Sequence, residues 1–282
     1  MKGFDNSGKE ESKDVARFKF KWGLWFCGLF CTVLFFAVGL VAASYAAHPL
    51  ITDDTGTQGK GKFQLEVNGE YNYDKETEEG ATTKETGGQT ATTLSYGIVD
   101  SADLVLGIPY QWRRVKEDGA VVSNEDGFSD MTLELKWRFY EKNGLSLALK
   151  PGVIMPTGDE ERGLGAGRIG YSAFFIADKE TDPWAFHLNI GYKRNENKVD
   201  ERSDIWHASV AAVLALTKEF KAVANIGIER TSDEGSNTDP AFILGGLIYS
   251  VTENFDIDFG VKCGLTATET DLLLLAGTAF RF

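Results

Sequence analysis

Two residues with the chemistry of a hydrolytic site lie close together in the second half of the chain. His207 and Ser209 are two positions apart, so on a β-strand their side chains point to the same face. A serine hydroxyl beside a histidine base is the nucleophilic pair of many hydrolases. His187 shares their predicted face on the preceding strand, but the local sequence adds no further part of such a site. We therefore predict no catalytic residues and expect that the protein is not an enzyme.

Metal and nucleotide chemistry have little support in the residue pattern. The remaining histidine, His48, and the three cysteines are too scattered to predict a metal centre. Residues 165–170 match GxGxxG, but the next predicted element is a strand rather than a helix, so a dinucleotide site is not indicated. The formal net charge of −13 argues against nucleic acid as a partner, because phosphates repel an acidic surface. The sequence thus predicts no metal, no cofactor and no nucleic acid.

A larger set of charged and polar residues occupies alternate positions of the predicted strands, opposite the apolar positions. If the apolar face contacts lipid, this set lines an interior. It then forms either a polar pore whose charges select solutes or a lumen closed by ion pairs, and both interpretations stay open. The candidates for lining the lumen are Lys62, Glu66, Glu70, Arg113, Glu134, Lys136, Arg138, Lys150, His187, Asp256, Asp258, Lys262 and Arg281.

The strand pattern that positions these residues is clearest at the end of the chain. Residues 271–282 read DLLLLAGTAFRF, with one face apolar apart from a threonine and charges only at the two ends of the other face. About ten residues of period two suffice for a tilted strand to cross a bilayer. The aromatic residues Phe280 and Phe282 at the end of this strand resemble the assembly signal of bacterial outer-membrane barrels.

Twelve such strands can be placed along the chain, joined alternately by short turns and longer loops. Two of the longer loops are predicted in the polar stretches 74–88 and 116–126. An even number of strands with alternating connection lengths is typical of transmembrane barrels, whereas a β-sandwich gives no reason for it. The sequence therefore predicts an all-β fold, a transmembrane up-and-down antiparallel β-barrel of about 12 strands.

Aromatic residues near both ends of the predicted strands support this interpretation, because aromatic rings gather at both levels of lipid headgroups. Phe63 and Tyr96 are expected near the inner rim, and Tyr71 and Phe242 near the outer rim.

Two strands leave their register open. In the sixth strand Phe174 and Phe175 are adjacent, so one of them must face inward. In the tenth strand Phe242 and Tyr249 are an odd number of positions apart, so a regular strand would place them on opposite faces. Both can face outward only if the strand has a bulge, which we predict at the glycine pair 245–246.

The first 60 residues precede the predicted strands. Residues 1–46 combine a polar, slightly basic start with a long apolar run and small residues at the end, which predicts a cleaved secretory signal peptide. The apolar run is also long enough to span a bilayer, so a retained anchor is the alternative. Residues 47–282 would form the barrel domain, with residues 47–60 as an N-terminal tail or plug.

Two stretches resemble a known family. Residues 48–66 read HPLITDDTGTQGKGKFQLE, and residues 149–167 run from Leu-Lys-Pro through Pro-Thr-Gly-Asp to Gly-Leu-Gly-Ala-Gly. Both resemble the outer-membrane family named for the MetA pathway of phenol degradation, the first at its mature start and the second at its fifth strand and the following loop. The resemblance implies a transporter-like outer-membrane barrel for aromatic or other hydrophobic small molecules, and it transfers no binding residues.

We therefore expect an outer-membrane channel or transporter for the passive passage of small molecules, including aromatic or hydrophobic compounds. The alternative is a structural or surface-interaction barrel closed to flux; a lipid-modifying outer-membrane enzyme is less favoured. The expected partners are outer-membrane lipid and lipopolysaccharide, the outer-membrane assembly machinery and a small-molecule solute. The expected location is the outer membrane, reached after export by the cleaved N-terminal signal peptide.

Overall fold

The computed structural model describes residues 48–78 and 81–282, so the predicted signal peptide at residues 1–46 lies outside the described residues. This part of the chain forms thirteen β-strands and one short 3-10 helix, Glu160–Arg162. The strands are β1 (Phe63–Glu78), β2 (Ala81–Val99), β3 (Ala102–Glu117), β4 (Ala120–Phe128), β5 (Met131–Lys142), β6 (Leu145–Met155), β7 (Gly170–Thr181), β8 (Trp184–Arg194), β9 (Asp204–Ala215), β10 (Phe220–Glu229), β11 (Ala241–Thr252), β12 (Phe255–Gly264) and β13 (Leu272–Arg281). None of the helical structure in these two ranges is long and apolar enough to span a membrane.

The strands form a single antiparallel sheet that closes into a barrel. From β5 onward each strand pairs with the next in the chain, β13 pairs with β1, and the ring is completed through β2, β3 and β5. The last residue extends the closure, since the Phe63 amide donates to the Phe282 carbonyl at 2.8 Å and the Phe282 amide donates to the Phe63 carbonyl at 3.0 Å. The prediction of an up-and-down antiparallel barrel is confirmed.

The thirteen strands form a barrel that is twelve strands in circumference, because β4 and β5 lie end to end at one place in the sheet. Both run antiparallel to β3, with β4 along residues 110–117 and β5 along residues 102–107. The β4 half lies at the end of the barrel that carries the long loops, residues 156–169, 195–203 and 230–240. Between β4 and β5 the Ser129 amide donates to the carbonyl of Pro109 at 2.9 Å. Asp130 accepts hydrogen bonds from the amides of Gly158 at 2.9 Å and Ala166 at 2.7 Å. The loop after β6 is thereby tied to the barrel wall where β4 ends and β5 begins.

The prediction of polar loops at residues 74–88 and 116–126 is wrong. β1 and β2 continue as a hairpin through the first stretch, and β3 and β4 form a hairpin through the second. Arg113 braces these extensions by donating to both carboxylate oxygens of Glu85, at 2.8 and 2.7 Å. Backbone pairing holds these parts of the strands, which lack the alternating apolar residues that marked the other strands.

The aromatic residues cluster at the two ends of the strands. At the end near the chain terminus the Phe63 ring lies 4.6 Å from the Tyr96 ring and 5.5 Å from the Phe282 ring. At the opposite end the Tyr71 ring lies 6.1 Å from the Trp112 ring. These contacts agree with the two predicted rims.

The predictions for the tenth strand, which corresponds to β11, are wrong. Pairing with β10 runs without a shift through the glycine pair 245–246, so there is no bulge at that point. Phe242 is 5% exposed and packs in the interior, where the ammonium of Lys262 lies 5.1 Å from its ring, instead of at the outer rim. Tyr249 faces outward and stacks on Phe220 at 4.5 Å. The alternation fails as a guide here because the inner wall itself carries large apolar residues.

The open register of the sixth strand, which corresponds to β7, is settled by its neighbours. Phe174 packs in the interior, with its ring 5.8 Å from the ring of His207. Phe175 pairs with Ile190 on the outward face, where Ile190 is 54% exposed. One of the two adjacent phenylalanines therefore faces inward, as predicted.

Candidate functional site

Residues 48–60, called the N-terminal segment below, lie inside the barrel. Thr52, Asp54 and Thr55 are each at most 3% exposed, although they belong to no strand. The segment is rich in short polar residues and glycine, so its backbone amides need partners other than a strand ladder. Side chains of the barrel wall supply five of these partners, at 2.7–3.2 Å: Asp100, Asp103, Asp178, Asn189 and Asn225.

Acidic residues of the N-terminal segment meet lysines of the wall. The Asp53 carboxylate accepts from the ammonium groups of Lys136 and Lys150, each at 2.8 Å. Lys150 also pairs with Glu134 at 3.1 Å, and Lys136 with Asp54 at 3.4 Å. Burial opposes ionisation of Asp53, but the two lysines outweigh it and hold the pKa of Asp53 well below its usual range. Burial dominates at Asp54 and raises the pKa of its carboxyl to about 6.

Glycines of the wall let the start of the segment approach closely. Gly246 and Gly260 face Pro49, and a Cβ atom on either glycine would lie 2.6 Å from the proline ring. Larger residues would push the segment away from the wall at this point. Beside this contact the imidazole of His48 pairs with Asp258, with 2.5 Å between Nδ1 and Oδ1.

An apolar patch on the inner wall of the barrel lies under the segment, with Leu50 packed against it. We call it the inner apolar patch. It consists of Ala185, Val213, Val223, Phe242, Leu244, Ile248, Leu273 and Leu275, all at most 8% exposed. Sequence reasoning predicted a polar lumen and missed this patch.

Two cavities border the N-terminal segment. The outer cavity, about 680 Å³, lies toward the long loops with Ile51 in its lining. The side cavity, about 260 Å³, runs between the segment and the wall formed by β1, β2, β3, β5 and β6, and it also includes Ile51 in its lining. The segment thus fills one side of the lumen and leaves space on the other.

Most of the residues predicted to line the lumen border these cavities or form ion pairs. Those beside the outer cavity are Glu70, Arg113 and Lys262. Those beside the side cavity are Glu66, Glu134, Lys136 and Lys150. The others in ion pairs are Arg138 with Glu141 at 3.1 Å, Asp256 with Arg281 at 2.7 Å, Asp258 with His48, and His187 with Asp178 at 2.8 Å. Lys62 precedes β1 and is exposed. Their role in solute passage stays a prediction.

Phe280 and Phe282 face outward, with their rings 5.6 Å apart and 47% and 59% of their surfaces exposed. Their recognition by the assembly machinery also stays a prediction.

In the described ranges, no group of three or more His, Cys, Asp or Glu side chains is placed to hold a metal ion.

The Ser/His pair found in the sequence has a third member in the structure. Nε2 of His207 lies 2.9 Å from Oγ of Ser209, and Nδ1 lies 3.1 Å from a carboxylate oxygen of Glu229. The other oxygen of Glu229 accepts from Lys193 at 2.9 Å. Sequence reasoning could not join Glu229 to this pair, because only the pairing of β9 with β10 places it opposite His207.

A closed antiparallel barrel of twelve positions, with an apolar exterior, two aromatic rims and charged groups inside, defines the class of outer-membrane β-barrels. Residues 47–282 match the family model described as "Putative MetA-pathway of phenol degradation", and the chain belongs to this family. The predicted family is therefore confirmed.

Solved structures share the barrel at low sequence identity. The COG4313 outer membrane channel from Pseudomonas putida F1 is 15% identical, with a TM-score of 0.62 over 86% of this chain and 100% of that one. The KdgM porin is 9% identical, with a TM-score of 0.50 over 78% and 99%. The translocator domain of the autotransporter NalP from Neisseria meningitidis is 10% identical, with a TM-score of 0.50 over 79% and 89%. These similarities establish the fold, and no curated protein matches the chain.

Proposed function

We propose that this protein is an outer-membrane channel for the passive passage of small molecules, with aromatic and other hydrophobic compounds as its cargo. The observation that carries the proposal is the inner apolar patch, which the N-terminal segment covers while the side cavity beside it stays free. Family membership and the likeness to the COG4313 outer membrane channel support the same interpretation.

The two kinds of contact made by the segment suit a gate. Hydrogen bonds from its backbone amides to wall side chains such as Asn189 and Asn225 fix its position, while Leu50 and Pro49 cover apolar surface. If the segment shifts, the inner apolar patch becomes a binding surface for apolar solutes. A phenol-sized molecule that buries about 120 Å² there gains about 3 kcal/mol, at roughly 25 cal/mol per Å². Such weak binding favours release and therefore passage.

The N-terminal segment thus acts as a plug in this proposal. The barrel lies in the outer membrane with its long loops outward, in contact with lipid and lipopolysaccharide. Residues 1–46 serve as the cleaved signal peptide for export, and the C-terminal strand engages the assembly machinery.

Single-channel recording of protein purified from outer membranes tests the proposal. We expect discrete current steps in a planar bilayer when the segment shifts from the wall, and we expect added phenol to block them. Uptake of radiolabelled phenol should fall in cells that lack the gene and recover on complementation. A folded protein that shows no current steps, together with unchanged uptake of phenol and other small solutes, would refute the proposal and favour a surface-interaction barrel.

A further inference from the structure

We infer that Ser209 is the nucleophile of an acyl-transfer site inside the barrel, with His207 as its base, Glu229 orienting that base, and a carboxylic ester as substrate. The inference goes beyond the proposed channel function and does not depend on it.

The hydrogen bonds around His207 fix its protonation pattern. Glu229 also accepts from Lys193, so it is ionised and can only accept from the imidazole. In the neutral imidazole Nδ1 of His207 therefore carries the proton, and Nε2 offers its lone pair to the Ser209 hydroxyl, 2.9 Å away. This is the order of contacts that activates a serine in hydrolases: nucleophile, base, and a carboxylate that orients the base. Ser209 and His207 are 3% and 7% exposed, so bulk water does not compete with these bonds.

The neighbourhood of Ser209 also contains a donor for the oxyanion of a tetrahedral intermediate. The Thr52 hydroxyl oxygen lies 2.8 Å from Ser209 Oγ and 2.6 Å from Nδ2 of Asn225. An oxygen at that point is within reach of both the nucleophile and an amide donor, which is what the carbonyl oxygen of an ester requires. The Asn225 amide keeps a bond to the barrel wall when the segment moves, because its Nδ2 donates to the Val210 carbonyl.

The reaction follows from these contacts. Ser209 Oγ bonds to the ester carbonyl carbon while its proton passes to Nε2 of His207, and Asn225 donates to the developing oxyanion. The carbon–oxygen bond to the alcohol then breaks, and the alcohol leaves with the proton from His207. Water attacks the acyl-serine in the same way, which releases the carboxylic acid and restores the Ser209 hydroxyl.

Thr52 occupies the place of the ester carbonyl oxygen in the described structure. The N-terminal segment therefore caps the nucleophile, and an ester reaches it only when the segment moves. Glu229 and Lys193 border the outer cavity, so the approach lies on that side, past Ile51. The ring of Phe174 beside His207 offers an apolar contact to the ester. A slow basal reaction is expected, and a smaller residue at position 52 should accelerate it.

Covalent labelling of the full-length, folded protein with a fluorophosphonate probe tests the inference, with the adduct located by mass spectrometry. Wild-type protein should be labelled slowly at Ser209, and the Thr52→Gly variant about tenfold faster because the carbonyl position is vacated. Ser209→Ala should abolish labelling, and His207→Gln should slow it by about 10³-fold. Ser95→Ala is the matched control, since Ser95 is a second buried serine, 7% exposed, on the distant strand β2, and this variant should be labelled at the wild-type rate.

Two further readouts separate catalysis from a structural role of the same contacts. Glu229→Gln should lower the labelling rate while the barrel keeps its heat-modifiable migration on gels. p-Nitrophenyl butyrate should give a burst of nitrophenol equal to the amount of Ser209 acylated. If neither wild-type nor Thr52→Gly protein forms an adduct at Ser209 while both are folded, the inference is wrong and these bonds serve only to hold the segment. Channel currents do not enter this outcome, so it is independent of the channel proposal.

Discussion

Replacing Asp53 by asparagine should loosen the N-terminal segment. Asp53 bridges Lys136 and Lys150, each at 2.8 Å, and these lysine side chains are only 12% and 16% exposed. Removing one partner of a buried ion pair costs about 3–5 kcal/mol. Lys150 keeps Glu134 at 3.1 Å and Lys136 keeps Asp54 at 3.4 Å. That remaining pairing lowers the expected cost to about 2–3 kcal/mol, which raises the detached population roughly 30- to 150-fold at 1.4 kcal/mol per factor of ten.

Hydrogen exchange measured by mass spectrometry on the folded protein checks this magnitude. In Asp53→Asn, peptides from residues 48–60 should exchange roughly 30- to 150-fold faster than in the wild type, while strand peptides keep their protection. Glu125→Gln is the control, because it breaks the pair with Arg162 at the surface, where the side chains are 45% and 36% exposed, far from the segment. Unchanged exchange of residues 48–60 would refute the electrostatic reasoning. Equal loss of protection in the strands would show that Asp53 stabilises the barrel and not the attachment of the segment.

Three further predictions concern the same segment and the barrel end. Burial raises the pKa of Asp54 to about 6 from 3.8, so Asp54 binds a proton more tightly in the attached segment than in the released one. The protection of the segment against hydrogen exchange should therefore fall as pH rises from about 4 through 6. Asp54→Asn should abolish this pH dependence. Gly260→Ala places a methyl group 2.6 Å from Pro49, and such overpacking costs about 1–3 kcal/mol. Hydrogen exchange at residues 48–52 should rise roughly tenfold, while the melting temperature of the barrel stays nearly constant. Phe282→Ala should lower the amount of heat-modifiable barrel in outer-membrane fractions severalfold, whereas Phe255→Ala at the same rim should not.

The parts of the fold that face lipid could be predicted from sequence, and the rest could not. Lipid requires an apolar residue at every second position, so β13 and most of β1 show a clear period of two. The hairpins through residues 74–88 and 116–126 show no such alternation of apolar residues. Backbone pairing alone holds them, and it leaves no pattern in the sequence. The alternation placed Phe242 at the outer rim, but a lumen that holds a folded segment can be apolar too, and Phe242 packs inside it.

The candidate site was predictable only where its parts are neighbours in the chain. His207 and Ser209 share a strand face, so the sequence shows the pair. Glu229 requires the register of β9 against β10, which no local pattern fixes. The contacts of the N-terminal segment are more distant still, since Thr52 meets Asn225 across 173 positions of sequence. Their residue types, short polar side chains without period, are equally typical of an ordinary loop.

The unequal length of the strands gives the mouth of the barrel a high side and a low side. β1 and β2 have 16 and 19 residues, whereas β10 and β12 have 10 each. With about 3.4 Å per residue and a tilt of about 40°, the six to nine additional residues raise one flank by roughly 15–25 Å. In the proposed orientation this flank projects above the cell surface. A large particle that approaches from this side would meet β1 and β2 before it reached the shorter flank between β8 and β12.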